Sequence, residues 1–462
     1  MTTSVAPASR TGTAHDLPVT ERPITTAEEA ADFPHQCDPS TLAKEPAPLP
    51  TRRQSRSRAR FVGLDVARGL ALVGMVAVHT IEASDEAGAM SPAWVIANGK
   101  SSALFAVLGG VGLAFMTGRQ QPPRDAAAVR TAAIPLIRGV ALVLFGLALG
   151  GVVDIADVMV VLPYLGMLFI MAAALVPLSA RRLLILGLAW TIVGPVLSQL
   201  VRAGTGALEP VNLGLGSLAD PAGVFHTLVF TGGFPAITWF AYICIGMAIG
   251  RSDLRSRLVI AKLIAGGTLL ALMASVLSSV LVDGFGLRER LANGVAGTMT
   301  LDVFTEYLVF GGDGTLPADS WWWLGVLAPH TGTPMDLLFT IGTSCAVIGG
   351  CLALATVFGH QFTLLALPGS MTLTLYSIHV LALGQLRDLT DGVHFLIQVA
   401  SLVIFALIWS RFFRRGPLEE VLKRLVDRMA PKKSSHRSAS GPQSGTSTPS
   451  SGGRAVRALS RR

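Results

Sequence analysis

Three ionisable residues interrupt one apolar run near the start of the chain: Asp65, Arg68 and His79, in GLDVARGLALVGMVAVHT, residues 63–80. On insertion scales each such group costs roughly 2.5–3.5 kcal/mol at a bilayer centre, which directs it toward a bundle interior or a wet cavity and away from lipid. On a helix, Asp65 and Arg68 are three residues apart and share a face. His79, fourteen residues past Asp65, returns to nearly the same face about 21 Å farther along the axis. Leu72 and Met75 lie on the stripe between them. One edge of this helix therefore carries an ion pair at one end and an imidazole at the other. The pair reads either as a salt bridge pinning the helix end, shared with Arg138, or as a cationic site where guanidinium meets phosphate.

Outside the two ends of the chain the histidines are His79, His226, His330, His360, His379 and His394. In PGSMTLTLYSIHVLALG, Thr372, Tyr376 and His379 fall at i, i+4 and i+7 on one helical face. In APHTGTPMD, His330 is followed by Thr331, Thr333 and Asp336. Imidazole serves as general base or nucleophile near neutral pH. Histidines gathered with hydroxyls and a carboxylate thus point to acid–base work, with His79, His379 and Asp336 as the candidate catalytic set. Asp65, Tyr376 and His330 are supporting candidates. A metal site is the competing reading, but no HxxxH or similar close ligand pair appears, so no metal is expected.

The elements that must position these residues are membrane helices. The chain of 462 residues is 51% hydrophobic and only 14% charged, where a soluble domain carries about 25% charged residues. Ten apolar stretches approach the ~20 residues that cross a hydrocarbon core: 62–82, 99–118, 131–151, 156–178, 182–201, 234–250, 258–282, 335–358, 364–384 and 393–413. The expected fold class is all-α, a polytopic helical membrane protein of about ten transmembrane helices with both termini cytoplasmic. Orientation follows the short-loop Arg and Lys residues. TRRQSRSRAR precedes the first span. Arg119, Arg124 and Arg130, then Arg181 and Arg182, then Arg251, Arg255, Arg257 and Lys262, fall on the same side, as do Arg411, Arg414 and Arg415. The opposite loops carry Glu82, Asp85, Glu86, Asp154, Asp157, Glu209 and Asp220, and loop 283–334 adds Asp283, Asp302, Glu306, Asp313 and Asp319. Ten spans with both termini inside fit every loop except 359–363, which carries no Lys or Arg. With this topology every histidine of the membrane body except His360 lies on the outer side.

Residues 1–60, rich in Pro, Thr, Ala and charge, read as a disordered cytoplasmic tail; no signal-peptide core is visible in them. Residues 431–462 read as a second, basic, Ser/Gly-rich tail. The formal charge of +8 suits attraction to anionic lipid better than nucleic-acid binding. The membrane body divides softly into 61–220 and 221–430 at the Gly/Pro-rich stretch GTGALEPVNLGLGSLADPAG. Loop 283–334 exceeds a plain turn, and its SWWWLGVLAPHTGTP reads as an aromatic interfacial anchor or as a lid over an outer pocket. Cys37, Cys244, Cys345 and Cys351 have no metal spacing.

The motif R-x-x-G-L-D-V-A-R-G-L-A-L-V-G-M before His79 resembles the opening helix of the heparan-alpha-glucosaminide N-acetyltransferase family, as do NGKSSALFAVLGGVGLAFMTGR and VMVVLPYLGMLFIMAA. The second half resembles the YeiB-type bacterial membrane proteins through GGFPAITWFAYICIGMAIGR, HTGTP, MTLTLYSIHVLALG and FRRGPLEEVLKRL. The first resemblance implies transmembrane acyl transfer: acetyl-CoA binds from the cytoplasm, and its acetyl group passes to a sugar amine or hydroxyl on the far side, with a histidine and an acidic partner doing the chemistry. In eukaryotic members of that family the active histidine follows the first span. Here the corresponding segment, IEASDEAGAMSPAWVIANGK, has none, and His79 just before it is the nearest substitute.

The reading that results is a bacterial plasma-membrane acyltransferase acting on a cell-envelope glycan or glycolipid. Arg68, Arg138, Arg119 and Arg130 would neutralise the phosphates of acyl-CoA, and His79 and His379 would handle protons at the outer end. Expected partners are the lipid bilayer, acyl-CoA and the envelope acceptor, with oligomers possible and no nucleic acid. A transporter or flippase for an envelope precursor or small metabolite is the second reading, since a charged helix edge also suits proton-coupled movement. A membrane partner protein without catalysis is the third.

Overall fold

The computed structural model describes residues 61–430 apart from 86–87, 205–210, 296–298 and 312–315, and of His360, Thr363 and Leu364 it describes the backbone alone. Both expected tails, and Glu86, Glu209 and Asp313 of the loops, lie outside the described residues. Among the described residues the fold is all-helical, as expected. The first half comprises α1 (Val62–Thr80), α2 (Pro92–Ala97), α3 (Lys100–Met116), α4 (Asp125–Gly150), α5 (Leu162–Ala172) and α6 (Ala180–Arg202). It is followed by α7 (Pro221–His226), α8 (Ala236–Gly250), α9 (Arg257–Ser279), α10 (Leu287–Val295), α11 (Leu301–Phe310) and α12 (Pro334–Phe358). Last come α13 (Phe362–Gly369), α14 (Thr372–Leu383), α15 (Asp391–Phe412) and α16 (Pro417–Met429).

Paired glycines set the closest helix crossings. A Cβ added at Gly110 of α3 would strike the backbone of α8 around Gly246, and one at Gly246 would strike α3 around Gly110. Gly139 and Gly166 stand in the same relation across α4 and α5, and Gly267 and Gly342 across α9 and α12. A fourth pair, Gly69 and Gly369, joins α1 to the end of α13. Lipid tails are as apolar as leucine, so helices in a membrane associate through close packing, and small residues let their backbones meet. Two of these crossings, α1 with α13 and α3 with α8, join residues 61–220 to residues 221–430, so the two halves interleave.

Among the described residues seven helices are long and apolar enough to cross a membrane, or eight if Pro221–Thr231 and Ala236–Gly250, bent by 61°, form one span. Two of the ten expected spans are shorter than their apolar stretches. In 156–178 the helix starts only at Leu162, with Pro163 in its first turn. The irregular backbone before it is held by Asn212, whose amide donates to the Val153 and Val158 carbonyls at 3.2 and 2.8 Å and whose Oδ1 accepts from the Val160 N–H at 2.9 Å. In 364–384, Pro368 and Gly369 end α13, and α14 begins afresh at Thr372.

A break of that kind is tolerated at membrane depth only where protein satisfies the freed backbone groups. Glu419, in the first turn of α16, does so for α14. Its Oε1 accepts from the Leu373 and Thr374 N–H groups at 2.7 and 3.2 Å, and its Oε2 accepts from the Thr374 hydroxyl at 2.6 Å. A carboxylate at a helix N-terminus also complements the helix dipole. The α16 helix is amphipathic, with Leu422 and Val426 buried and ion pairs Glu420–Arg424 and Lys423–Asp427 on its outer face.

The described residues of the long loop pack around a small core of their own that includes Leu291, Phe304, Trp323 and Val326. Trp323 is fully buried and donates to Asp319 at 3.0 Å, while Trp321 and Trp322 are exposed. Arg202 of α6 donates to the Leu316 carbonyl at 2.6 Å, and Ser278 of α9 to the Gly325 carbonyl at 2.9 Å, which pins this unit to the bundle.

Two measurements follow. Gly246→Ala should lower stability by about 1–3 kcal/mol through overpacking, read as a reduced Tm in detergent, whereas Gly266→Ala, whose added Cβ would meet nothing within 4 Å, should leave Tm unchanged. Glu419→Ala should cost about 1.5–3 kcal/mol, the scale of hydrogen bonds to a charged group. Glu419→Gln, which keeps an acceptor, should cost less in the same assay.

Candidate functional site: a histidine pair at a cavity

α1 and α14 run in the same direction. Gly69 meets Gly369, and ten residues farther along each chain His79 meets His379. The second of these ten-residue intervals crosses the break between α13 and α14 and resumes as helix from Thr372. Nδ1 of His79 lies 3.0 Å from Nε2 of His379, with the rings within 6° of parallel. His379 is fully buried. Behind it, Nδ1 of His379 lies 3.3 Å from Oε1 of Gln398, and Nε2 of Gln398 lies 3.3 Å from Nε2 of His394, both on α15. His79, at the front of this chain, is partly exposed and lines a cavity of about 970 Å³.

Several elements build the cavity wall. Trp94 and Asn98 come from the α2 region, and the Trp94 indole is anchored on the Ile81 carbonyl at 2.9 Å. α11 of the long loop contributes Asp302, Glu306 and Phe310, so that loop forms one side of the cavity. Asp157 adds a third carboxylate and accepts from Arg387 Nε at 2.6 Å. Phe234 and His330 complete the inner part, their rings meeting edge to face at 5.4 Å. A smaller cavity of about 50 Å³ shares His79, Asn98, Phe234 and His330 and reaches toward Met75, Val161 and Tyr376. Tyr376 is buried, its hydroxyl accepting from the Val161 N–H at 3.3 Å.

Asp336 has a different position from the one its spacing suggested. It is buried, lines neither cavity, and accepts from the Gly332 N–H at 3.0 Å while its own N–H is capped by the Thr333 hydroxyl at 3.1 Å. These bonds hold the tight turn in which His330 adopts a left-handed φ of 61°, a costly conformation for a non-glycine residue that the surrounding contacts must maintain. Asp336 thus reaches the cavity through His330.

The ion pair of α1 forms as expected, Arg68 Nη1 donating to Asp65 Oδ1 at 2.8 Å. The four arginines expected to hold phosphate occupy distinct settings. Arg68 is paired on α1. Arg119 lies over the Phe61 and Phe115 rings at 4.7 and 4.8 Å, with Arg255 also over Phe61 at 5.6 Å. Arg138 has Glu419 and Arg415 among its charged neighbours, beside α16. Arg130 is exposed on the second turn of α4. Nε of Arg119 and of Arg138 are buried without a hydrogen-bond partner. Of the remaining histidines, His226 contacts the Thr231 hydroxyl at 3.4 Å. Among the described residues no group of three His, Cys, Asp or Glu side chains stands ready to hold a metal.

Sequence reasoning did not find Gln398, although a His and a Gln at i, i+4 in the otherwise apolar α15 were the available signal. Asn98, Trp94 and Phe234 carried no signal beyond composition.

What the fold and site define is a polytopic helical membrane protein with a histidine pair at the wall of a polar cavity. Residues 60–277 match the family model of the heparan-alpha-glucosaminide N-acetyltransferase catalytic domain, which points to membrane acetyltransferase activity. No curated protein matches the chain significantly. The family match includes His79, Arg68, Arg119 and Arg138 and stops inside α9, before His330, Asp336, Tyr376, His379 and Gln398.

The Asp336 bonds make a direct expectation. Asp336→Ala should destabilise by about 1–3 kcal/mol, the cost of stranding a buried donor, whereas Asp336→Asn, which still offers an oxygen to Gly332, should remain near wild type in thermal unfolding.

Proposed function

We propose that the protein transfers an acetyl group from acetyl-CoA, bound at the Asp65 end of α1, to an amine or hydroxyl of a cell-envelope sugar or glycolipid held in the cavity at the His79 end. The observation that carries this reading is the His79–His379 contact at the cavity wall, taken with the acetyltransferase match over residues 60–277. In this reading the Arg-rich loops place the Asp65 end in the bacterial cytoplasm and the cavity outside. Acetyl-CoA is a substrate here, and its phosphates suit guanidinium groups such as Arg119 and Arg138, whose buried Nε–H groups lack protein acceptors. The edge of α1 from Arg68 to His79 spans about 17 Å, and the smaller cavity beside Met75 and Tyr376 extends the outer site toward it.

Chemically, His79 accepts the proton of the acceptor N–H or O–H as that atom attacks the thioester carbonyl. The new C–N or C–O bond forms, the C–S bond breaks, and the thiolate leaves with CoA and is reprotonated from water or the imidazole pair. His379 shares the proton load of His79. Asp157, Asp302 and Glu306 give the cavity an acidic wall suited to an amino sugar or a hydroxyl-rich ring. Asp336 supports His330, and Asp65 holds Arg68 in place.

The transporter or flippase reading draws on one observation, the discontinuous helices at α13/α14 and at the 61° bend before α8, since transporters build substrate sites from broken spans. Flux of an envelope precursor in liposomes without any acyl-CoA would favour it.

The deciding experiment is acetyl-CoA turnover by the purified chain, followed as free thiol release. His79→Ala should lower kcat about 10²–10⁴-fold, the usual contribution of a general base, with acetyl-CoA binding retained. Absence of both binding and turnover in the wild type would overturn the proposal.

A further inference from the structure

Gln398 lies between two imidazoles and is 3% exposed. A carboxamide has an acceptor at one terminus and donors at the other, so its orientation dictates which ring nitrogens carry protons. Its Oε1 faces Nδ1 of His379 at 3.3 Å, which requires the His379 proton to sit on Nδ1. A neutral imidazole protonated there has its lone pair on Nε2, so the 3.0 Å contact with His79 is a bond donated by His79 Nδ1–H. The remaining nitrogen of His79, Nε2, then carries a lone pair on a ring that lines the cavity. At the other terminus the Gln398 amide donates to Nε2 of His394, which must be unprotonated at that atom.

We infer that Gln398 is the positioning residue that fixes the His79 tautomer, so that His79 presents Nε2 to the cavity as a proton acceptor. In proton terms, the acceptor's proton arrives at His79 Nε2, and the proton on His79 Nδ1 can move along the existing bond to His379 Nε2. His379, then doubly protonated, still donates from Nδ1 to the Gln398 oxygen, so the chain keeps its polarity through the step. Deprotonation of the pair by the departing thiolate or by water restores the starting state. Besides the carboxylates of Asp157, Asp302 and Glu306 on the shared cavity wall, the titratable groups facing the pair are His330 across the cavity, Tyr376 on α14 and His394 beyond Gln398. His394 meets the Gln398 amide as an acceptor, and none of the three supplies the carbonyl oxygen that sets the polarity. The consequence for rate rests on the acetyl-transfer proposal, whereas the tautomer assignment does not.

The test is ¹⁵N-histidine NMR of the full-length chain in micelles, with His79 assigned through His79→Phe and paired with thiol-release kinetics. The wild type should show a pyrrole-type Nδ1 and a pyridine-type Nε2 at His79. Gln398→Leu should abolish that pattern and lower kcat about 10–100-fold with little change in KM, the scale seen when the group orienting a working histidine is lost. Gln398→Glu, which keeps an acceptor on His379, should preserve the tautomer and raise the pH midpoint of the acidic limb, where the working base must lose its proton, by about one unit, as a nearby negative charge favours imidazolium. An Nε2–H tautomer at His79 in the wild type, or an unchanged pH midpoint in Gln398→Glu, would overturn the inference even if transfer occurs. The expected tautomer without any transfer would sustain the inference and remove the acetyl-transfer proposal.

Discussion

The arrangement depends on backbone-to-backbone contact at glycine. Inside a bilayer, burying one apolar helix against another brings no release of ordered water, so helices hold together by how closely their surfaces meet. Gly110 with Gly246, Gly139 with Gly166, Gly267 with Gly342 and Gly69 with Gly369 supply that closeness at four crossings. At the first three pairs each glycine lies where its partner helix leaves no space for a side chain, and in the fourth Gly369 does so against the backbone of Asp65 and Gly69, so the pairs hold both the separation and the axial register of their helices. The histidine pair inherits its geometry from the last of these contacts.

The same economy governs the polar groups. A membrane helix that stops and restarts exposes N–H groups that lipid cannot satisfy, and the protein answers with a single carboxylate, Glu419, carried in from the amphipathic α16. Helix α14 begins afresh after Pro368 and Gly369 and carries Tyr376 and His379 in buried positions. At the other end, Asp157, Asp302 and Glu306 sit where loops and short helices meet the cavity, and water there can solvate them. On α1 the ionisable side chains stand toward its two ends, with a buried apolar stripe of Leu72 and Met75 between them.

Much of this was legible in the chain. The composition and the apolar stretches specify a polytopic helical protein, and the Asp65–Arg68 spacing specifies an ion pair that forms. The similar depth of His79 and His379 could be read from helix periodicity and alternating topology. Their contact could not, because it depends on the crossing of residues 300 positions apart. Averaged hydropathy over 156–178 and 364–384 is high despite Asp157, Pro163, Pro368 and Gly369, so it does not mark where Asn212 or Glu419 replaces helical hydrogen bonding. Asp336 stands close to His330 in sequence, and proximity there suggested shared chemistry. Its side chain instead turns back onto Gly332, as helix-start residues commonly do. Gln398 went unread because a lone amide in a span is ambiguous until its neighbours across the bundle are known.

The site is split between a segment that carries the acetyltransferase match and one that does not, since His79 comes from the first and His379, His330 and Gln398 from the second. The two imidazoles meet because each lies ten residues beyond a glycine of the same crossing. That makes the interval between Gly369 and His379 a fixed count. One residue added or removed there would turn the ring about 100° around its helix and move it about 1.5 Å along it. Substitutions can drift freely over much of α14's lipid-facing surface, but the length of this segment cannot, and across relatives that keep the pair its spacing should vary less than its amino acids.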